Sequence, residues 1–151
     1  MRRRKSEWRV ANREWGGQLD GDEIRSYRDL RVWREAMTVA AECYLLTKTF
    51  PREEAYGMTA QIRRASASIA ANIAEGHGRE MTGSFVQFLR MSQGSLKELE
   101  THLLLAARVG ITEASATQPI LDRCEALGKM LRRLIRSLRD DRTAPDRETG
   151  Q

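Results

Sequence analysis

The sequence predicts an all-α protein, an antiparallel up-down four-helix bundle that associates with copies of itself. Three observations predict it. Apolar residues recur at three-to-four spacing along four long segments, the pattern of helices with one buried face. The 3 prolines lie outside these apolar patterns, and the connections between segments are short. Several segments also carry apolar or very small residues on a second face, which asks for a second packing partner. At 151 residues the chain is one domain's worth. Residues 1–25 read as a flexible basic arm, 26–140 as the bundle and 141–151 as a disordered, charged tail.

The first helix is expected to start at Ser26, whose hydroxyl can accept an orphan N–H, with Asp29 three residues on at the positive helix end. It runs to about Thr49. Leu30, Trp33, Met37, Ala41 and Tyr44 form its first stripe, while Val32, Val39, Cys43 and Leu46 form a second on another face. The second stripe is the candidate subunit contact.

Pro51 opens the second helix, where a missing N–H costs little, and Glu53 and Glu54 suit its first turn. Ile62, Ala65, Ile69, Ile73 and Gly76 share the core face. Ala67, Ala70, Ala71 and Ala74 lie opposite with Ser68, and side chains this short let another backbone come close, in the same chain or a neighbouring subunit. Gly76 and Gly78 are expected to stop the helix in the left-handed conformation.

The third helix starts at Thr82 or Gly83 and ends at Gly110. Its inner stripe is Phe85, Phe88, Leu89, Ser92, Leu96, Leu99, Leu103 and Ala106; Leu104, Leu105, Val86 and Met91 fall outside it, leaving apolar surface for a subunit contact, with Leu104 and Leu105 as the candidates. The fourth begins between Thr112 and Pro119, buries Ile120, Cys124, Leu127, Leu131, Leu134 and Leu138, and finishes near Arg139 or Asp140.

The formal charge of +5 and a pI near 9.7 point toward an acidic partner such as nucleic acid, met through phosphates rather than base edges. Arg supplies most of the basic side chains. On the fourth helix Lys129, Arg132, Arg133, Arg136 and Arg139 cluster opposite the leucine stripe as a basic ridge; the alternative is a solvated face near the negative helix end. Arg90 and Lys97, with Arg108, line up on the third helix. Arg63, Arg64 and Arg79 stand on or beside the small-residue helix, with intersubunit ion pairs to Glu75, Glu98 or Glu100 as the alternative to phosphate contact. The arm mixes Arg2, Arg3, Arg4, Lys5, Arg9 and Arg13 with Trp8 and Trp15, as nucleic-acid-binding arms do.

Catalysis finds little footing. Di-iron bundles need Glu-x-x-His pairs, and neither His77 nor His102 has a glutamate three positions before it. The segment Gly76-His77-Gly78 lacks the strand and the lysine-serine ending of a phosphate loop. Asn72 and Glu75, beside the isoleucine stripe, read as a polar pair that fixes helix register. Cys43 and Cys124 have no metal-ligand spacing and read as reduced core thiols of a cytosolic protein. No cofactor, metal or catalytic residue is expected. No apolar run suits a secretory signal or a membrane span, so a soluble, cytoplasmic protein without a membrane partner is expected.

One set of residues carries a family resemblance. It comprises Tyr27-Arg28-Asp29-Leu30, Val32-Trp33, Ala36, Phe50-Pro51, Glu54-Ala55-Tyr56-Gly57, Gln61-Ile62-Arg63-Arg64, Ser68-Ile69, Asn72-Ile73-Ala74-Glu75-Gly76, Gly78-Arg79, Phe85, Phe88-Leu89, Gly94-Ser95, Glu98-Leu99-Glu100, Leu131, Leu134-Ile135 and Leu138. With these the chain resembles the four-helix-bundle proteins encoded by intervening sequences of bacterial large-subunit ribosomal RNA genes, similar to the accessory (variability determinant) proteins of diversity-generating retroelements. The resemblance implies a homopentamer. It also implies a non-catalytic accessory role in a mobile or intervening element, binding structured RNA or an RNA/DNA hybrid, RNA more than DNA. The alternative it implies is a protein-interaction scaffold that partners a reverse transcriptase.

Overall fold

The computed structural model describes residues 24–143; the expected arm up to residue 23 and the tail from residue 144 lie outside the described residues. Among the described residues all regular structure is helical: α1 (Arg31–Thr47), α2 (Met58–Gly78), α3 (Thr82–Arg108) and α4 (Ala114–Thr143), with short 3-10 turns at Tyr27–Asp29 and Arg52–Glu54. Each helix packs on the next in the chain, and α4 closes the circuit on α1.

Local chemistry explains the boundaries. Ser26 forms the expected capping box: its hydroxyl accepts from the Arg28 N–H at 3.2 Å, while the Asp29 carboxylate accepts from the Ser26 N–H at 3.0 Å and the Arg25 N–H at 2.9 Å. These backbone donors hold the Asp29 carboxyl below its usual range. The box caps only a 3-10 turn, because Leu30 is extended (φ −72°, ψ 126°) and α1 starts after it.

Pro51 likewise precedes a 3-10 turn rather than the long helix. The Glu54 carboxylate reaches forward to accept from the Met58 N–H at 2.9 Å, placing negative charge on the α2 N-terminus. A Cβ on Gly57 would lie 2.6 Å from Glu54 Oε2, so a side chain there would have to move that carboxylate away from the α2 N-terminus.

The end of α2 departs from expectation. Gly76 and Gly78 are both helical, and the left-handed residue is Glu80 at φ 64°. Gly76 instead permits close packing: a Cβ on it would sit 2.5 Å from Phe88 Cβ and 3.1 Å from Phe85 Cδ2. At the end of α3, Gly110 does take the left-handed form (φ 80°). The Ile111 N–H donates to Ala106 O at 2.9 Å and the Gly110 N–H to Ala107 O at 3.2 Å, which is a Schellman stop.

The α4 helix contains Pro119 in its second turn and continues through Asp141, Arg142 and Thr143, residues expected in the tail. Nothing in Asp140–Thr143 opposes helix, and Pro145 is the first breaker after it.

The core takes the expected inner stripes of α2 and α4 and most of that of α3, with Ile62, Ile69, Ile73, Phe85, Leu89, Leu99 and Leu131 wholly buried; on α3, Val86 is buried although expected outside the stripe, and Phe88 is only half-buried. On α1 the two stripes exchange roles except at Leu30, which stays in the core, and Leu46, which is half-buried. Val32, Ala36, Val39 and Cys43 face the core, whereas Met37 and Tyr44 keep 45% and 44% of their surface exposed. Val39 and Cys43 are therefore corrected as subunit contacts: a side chain with no exposed surface has none left to bury against a neighbour.

Candidate nucleic-acid interface

Four of the ten expected phosphate-contact residues converge. Arg90 of α3 and Arg132, Arg136 and Arg139 of α4 line one open groove of about 720 Å3 between these helices, with Gln93, Ile135, Asp140, Arg142 and Thr143. The helical periodicity of α4 accounts for the row: positions 132, 136 and 139 recur at four- and three-residue spacing, while Leu131, Leu134, Ile135 and Leu138 are drawn into the core. Gly128 lies one turn before this row; a Cβ there would be 3.5 Å from both Leu96 Cδ2 and the Arg132 guanidinium, so the arginine folds back over a residue with no side chain.

Among the described residues, none of Arg90, Arg132, Arg136, Arg139 or Arg142 forms an ion pair with an acid. Five arginines then share the groove with one carboxylate, Asp140, and like charges held this close attract a polyanion strongly. Arg142 was not expected here, because the helix that carries it runs further than the acidic, apolar-poor sequence suggests. Its spacing from Arg139 continues the row and is the one signal that could have revealed it. The Arg142 guanidinium packs over Gly83, 3.3 Å from where a Cβ would be.

The other expected cations are spoken for or stand apart. Arg64 meets Glu98 at 2.7 Å and Gln61 at 2.7 Å. Arg79 meets Glu75 at 3.1 Å and lies over the Phe88 ring. Lys97 pairs with Glu100 at 2.9 Å and Lys129 with Glu125 at 3.4 Å. The ion-pair alternative thus names the right acids for Arg64 and Arg79, within one chain rather than between subunits. Arg63 donates to Thr47 Oγ1 at 2.9 Å and stacks on Tyr44 at 4.7 Å, joining α1 to α2. Arg133 is exposed but does not line the groove.

The small-residue face of α2 lines a second, apolar groove of about 440 Å3. Ala67, Ala70, Ala71 and Ala74 form one wall, and Tyr27, Trp33, Met37, Ala40, Ala41 and Tyr44 the rest. Ala70 is almost wholly buried at its floor, while Ala67 and Ala71 are exposed. Within its lining Tyr27 stands edge-on to Trp33 with ring centres 5.2 Å apart, and the Tyr44 ring carries the Arg63 guanidinium 4.7 Å from its centre. Leu104 and Leu105 are exposed on α3 and lie outside this groove, and Leu46 is half-buried against the core.

Ser68 and Ser92 form a polar seam between α2 and α3, while Asn72 bonds within α2 and supports Ser68 rather than reaching another helix. Asn72 donates to Ser68 O at 2.9 Å, Ser68 and Ser95 hydroxyls meet at 2.9 Å, and buried Ser92 donates to Ile69 O at 3.0 Å. With Arg64–Glu98 and Gly76–Phe88, partner numbers fall along α3 as they rise along α2, so the seam sets the register of this pair. Among the described residues no three His, Cys, Asp or Glu side chains gather to hold a metal. None of the described helices is long and apolar enough to cross a membrane.

The fold and its grooves define a helical bundle with a cationic cleft on one side and an apolar one on another. The chain belongs to the 23S rRNA-intervening sequence protein family, whose profile matches residues 28–133. It is also similar in structure to a protein of unknown function from the S23 ribosomal protein family of Bacteroides thetaiotaomicron VPI-5482, solved at 1.70 Å resolution. That likeness has a TM-score of 0.64 at 25% identity and covers 69% of this chain and 97% of the other. No curated protein matches the chain.

Proposed function

We propose that this protein is a non-catalytic, self-associating accessory protein of an intervening or mobile element that binds structured RNA, or an RNA/DNA hybrid, through phosphates. The observation that carries the reading is the convergence of Arg90, Arg132, Arg136 and Arg139 on one groove without acid partners. Isolated surface arginines are common, but evolved surfaces interleave both signs unless a field is wanted. Membership of a family named for 23S rRNA intervening sequences supports RNA as the polyanion.

In this reading the helices alternate up and down, and copies meet through the apolar α1/α2 groove, five of them forming a ring. The groove supports this because its exposed Met37 and Tyr44 stand beside alanines that admit a neighbouring side chain. A ring would repeat the cationic groove in every copy and add weak contacts into useful affinity. With four phosphate contacts per copy, affinity should fall about 50- to 150-fold between 50 and 200 mM salt.

The test is binding of a labelled structured RNA to the wild type and to the triple variant Arg132→Glu, Arg136→Glu, Arg139→Glu, followed by fluorescence anisotropy. Loss of binding with unchanged helix content and particle mass is expected. Undiminished binding by the variant would exclude the groove, and no binding by the wild type even at low salt would exclude the function.

A further inference from the structure

We propose that the α3/α4 groove takes one phosphodiester strand by its backbone alone and leaves the bases turned outward, free to pair. This deepens the nucleic-acid reading of the groove and rests on it. Cations stand on both walls, Arg90 on α3 and Arg132, Arg136 and Arg139 on α4. A phosphate lying between them is met from two sides, which a ridge on a single helix cannot do.

Length fits a short run of backbone. At 1.5 Å per residue, the row from Arg132 to Arg142 covers about 15 Å of helix. A strand in duplex-like stack advances 3.4 Å per phosphate, so the row spans about four phosphates.

The groove offers little to a base. Among the described lining residues none is aromatic, so the stacking surface by which single-strand binders hold bases is missing. Ile135 on the floor is 7% exposed and too deeply set to serve as a platform. Gln93 is the single amide in the lining and can address at most one base edge. Asp140 repels phosphate and turns the strand toward the arginine row. A strand gripped in this way keeps its pairing edges available to another strand, which suits an RNA or hybrid that must stay paired while bound.

The experiment compares three labelled strands of about 12 nucleotides, oligo-uridine, oligo-thymidine and an abasic DNA, on the full-length protein at low salt. All three should bind within about threefold of one another, and Arg132→Glu with Arg136→Glu should weaken each by about tenfold or more. Arg90→Ala should lower the slope of log affinity against log salt by about 0.7, one phosphate contact. If the double variant weakens all strands but the abasic one binds about tenfold worse than the others, the groove grips bases and the inference falls while the nucleic-acid reading stands. A comparable preference for oligo-uridine over oligo-thymidine would mean 2′-hydroxyl contact and would also overturn it. If the strands bind but none responds to the double variant, the groove is not the site and both readings fall.

Discussion

Gly76 shows how one missing side chain sets the distance between two helices. With a Cβ only 2.5 Å from Phe88 Cβ, Gly76→Ala must push α2 and α3 apart, and it should cost about 1–3 kcal/mol. For a chain of this size that lowers the melting temperature by roughly 2–4 °C per kcal/mol, as a thermal scan would read. An unshifted melt would mean the crossing is looser than this. Burial, chiefly, pushes the Cys43 and Cys124 thiols from 9.0 up to about 12. Both should resist alkylation at about pH 8 in the native protein and react on unfolding. Because the folded state holds the neutral thiols, their contribution to stability is full below about pH 9 and is lost as pH rises toward 12, the unfolded chain ionising first. The core place of Cys124 was legible from its apolar helical stripe; for Cys43 the sequence offered both a core place and a subunit contact, and burial decided for the core.

Among elements, α1 is the instructive one. Its two apolar stripes are nearly equal in sequence, and Trp33, Met37 and Tyr44 are the bulkier set, which makes them look like core. Bulk misleads here because α2 presents alanines to that side and the close helix contact leaves an open furrow, while the smaller Val39 and Cys43 fit the crowded centre. Two substitutions separate the roles. Val39→Ala should destabilise the fold by about 1–3 kcal/mol in urea unfolding and leave particle mass unchanged. Ala71→Leu, at an exposed position, should fill the apolar groove, keep the helices and reduce self-association measured by light scattering. The opposite pattern would make Val39 and Cys43 the subunit contact and the Met37/Tyr44 face the core. Local stops and caps were legible where a residue acts on its near neighbours, as in the Ser26 capping box and in the left-handed Gly110 that ends α3. Helix ends were not legible where the next turn decides, as at Leu30, where an extended residue interrupts the helix, or at Arg142, where a charged segment stays helical.

At the scale of the whole molecule, the proposed assembly makes a direct demand on mass. Light scattering of the purified protein should give near five times the 17.2 kDa chain, and structured RNA should add mass at low salt and leave at high salt. A monomer at every concentration would remove the ring and its multivalency, leaving each groove to bind alone. A pentamer that ignores RNA would leave the ring and remove the polyanion.

What the sequence by itself determined is what repeats along the chain: four helical segments, the inner faces of α2, α3 and α4, a surplus of arginine, and the residues by which the family can be recognised. Periodicity and local capping carry that information, since each depends on neighbours a few positions away. Tertiary structure alone decided which stripe of α1 is core and which acid meets Arg64, whereas Arg79–Glu75, Lys97–Glu100 and Lys129–Glu125 pair within one helical turn. It brought Glu98 to Arg64 across 34 positions and left Arg90 beside Arg132, because helix packing joins distant residues that no local pattern links. The cationic groove exists for the same reason: neither α3 nor α4 has one, and it forms where their surfaces meet.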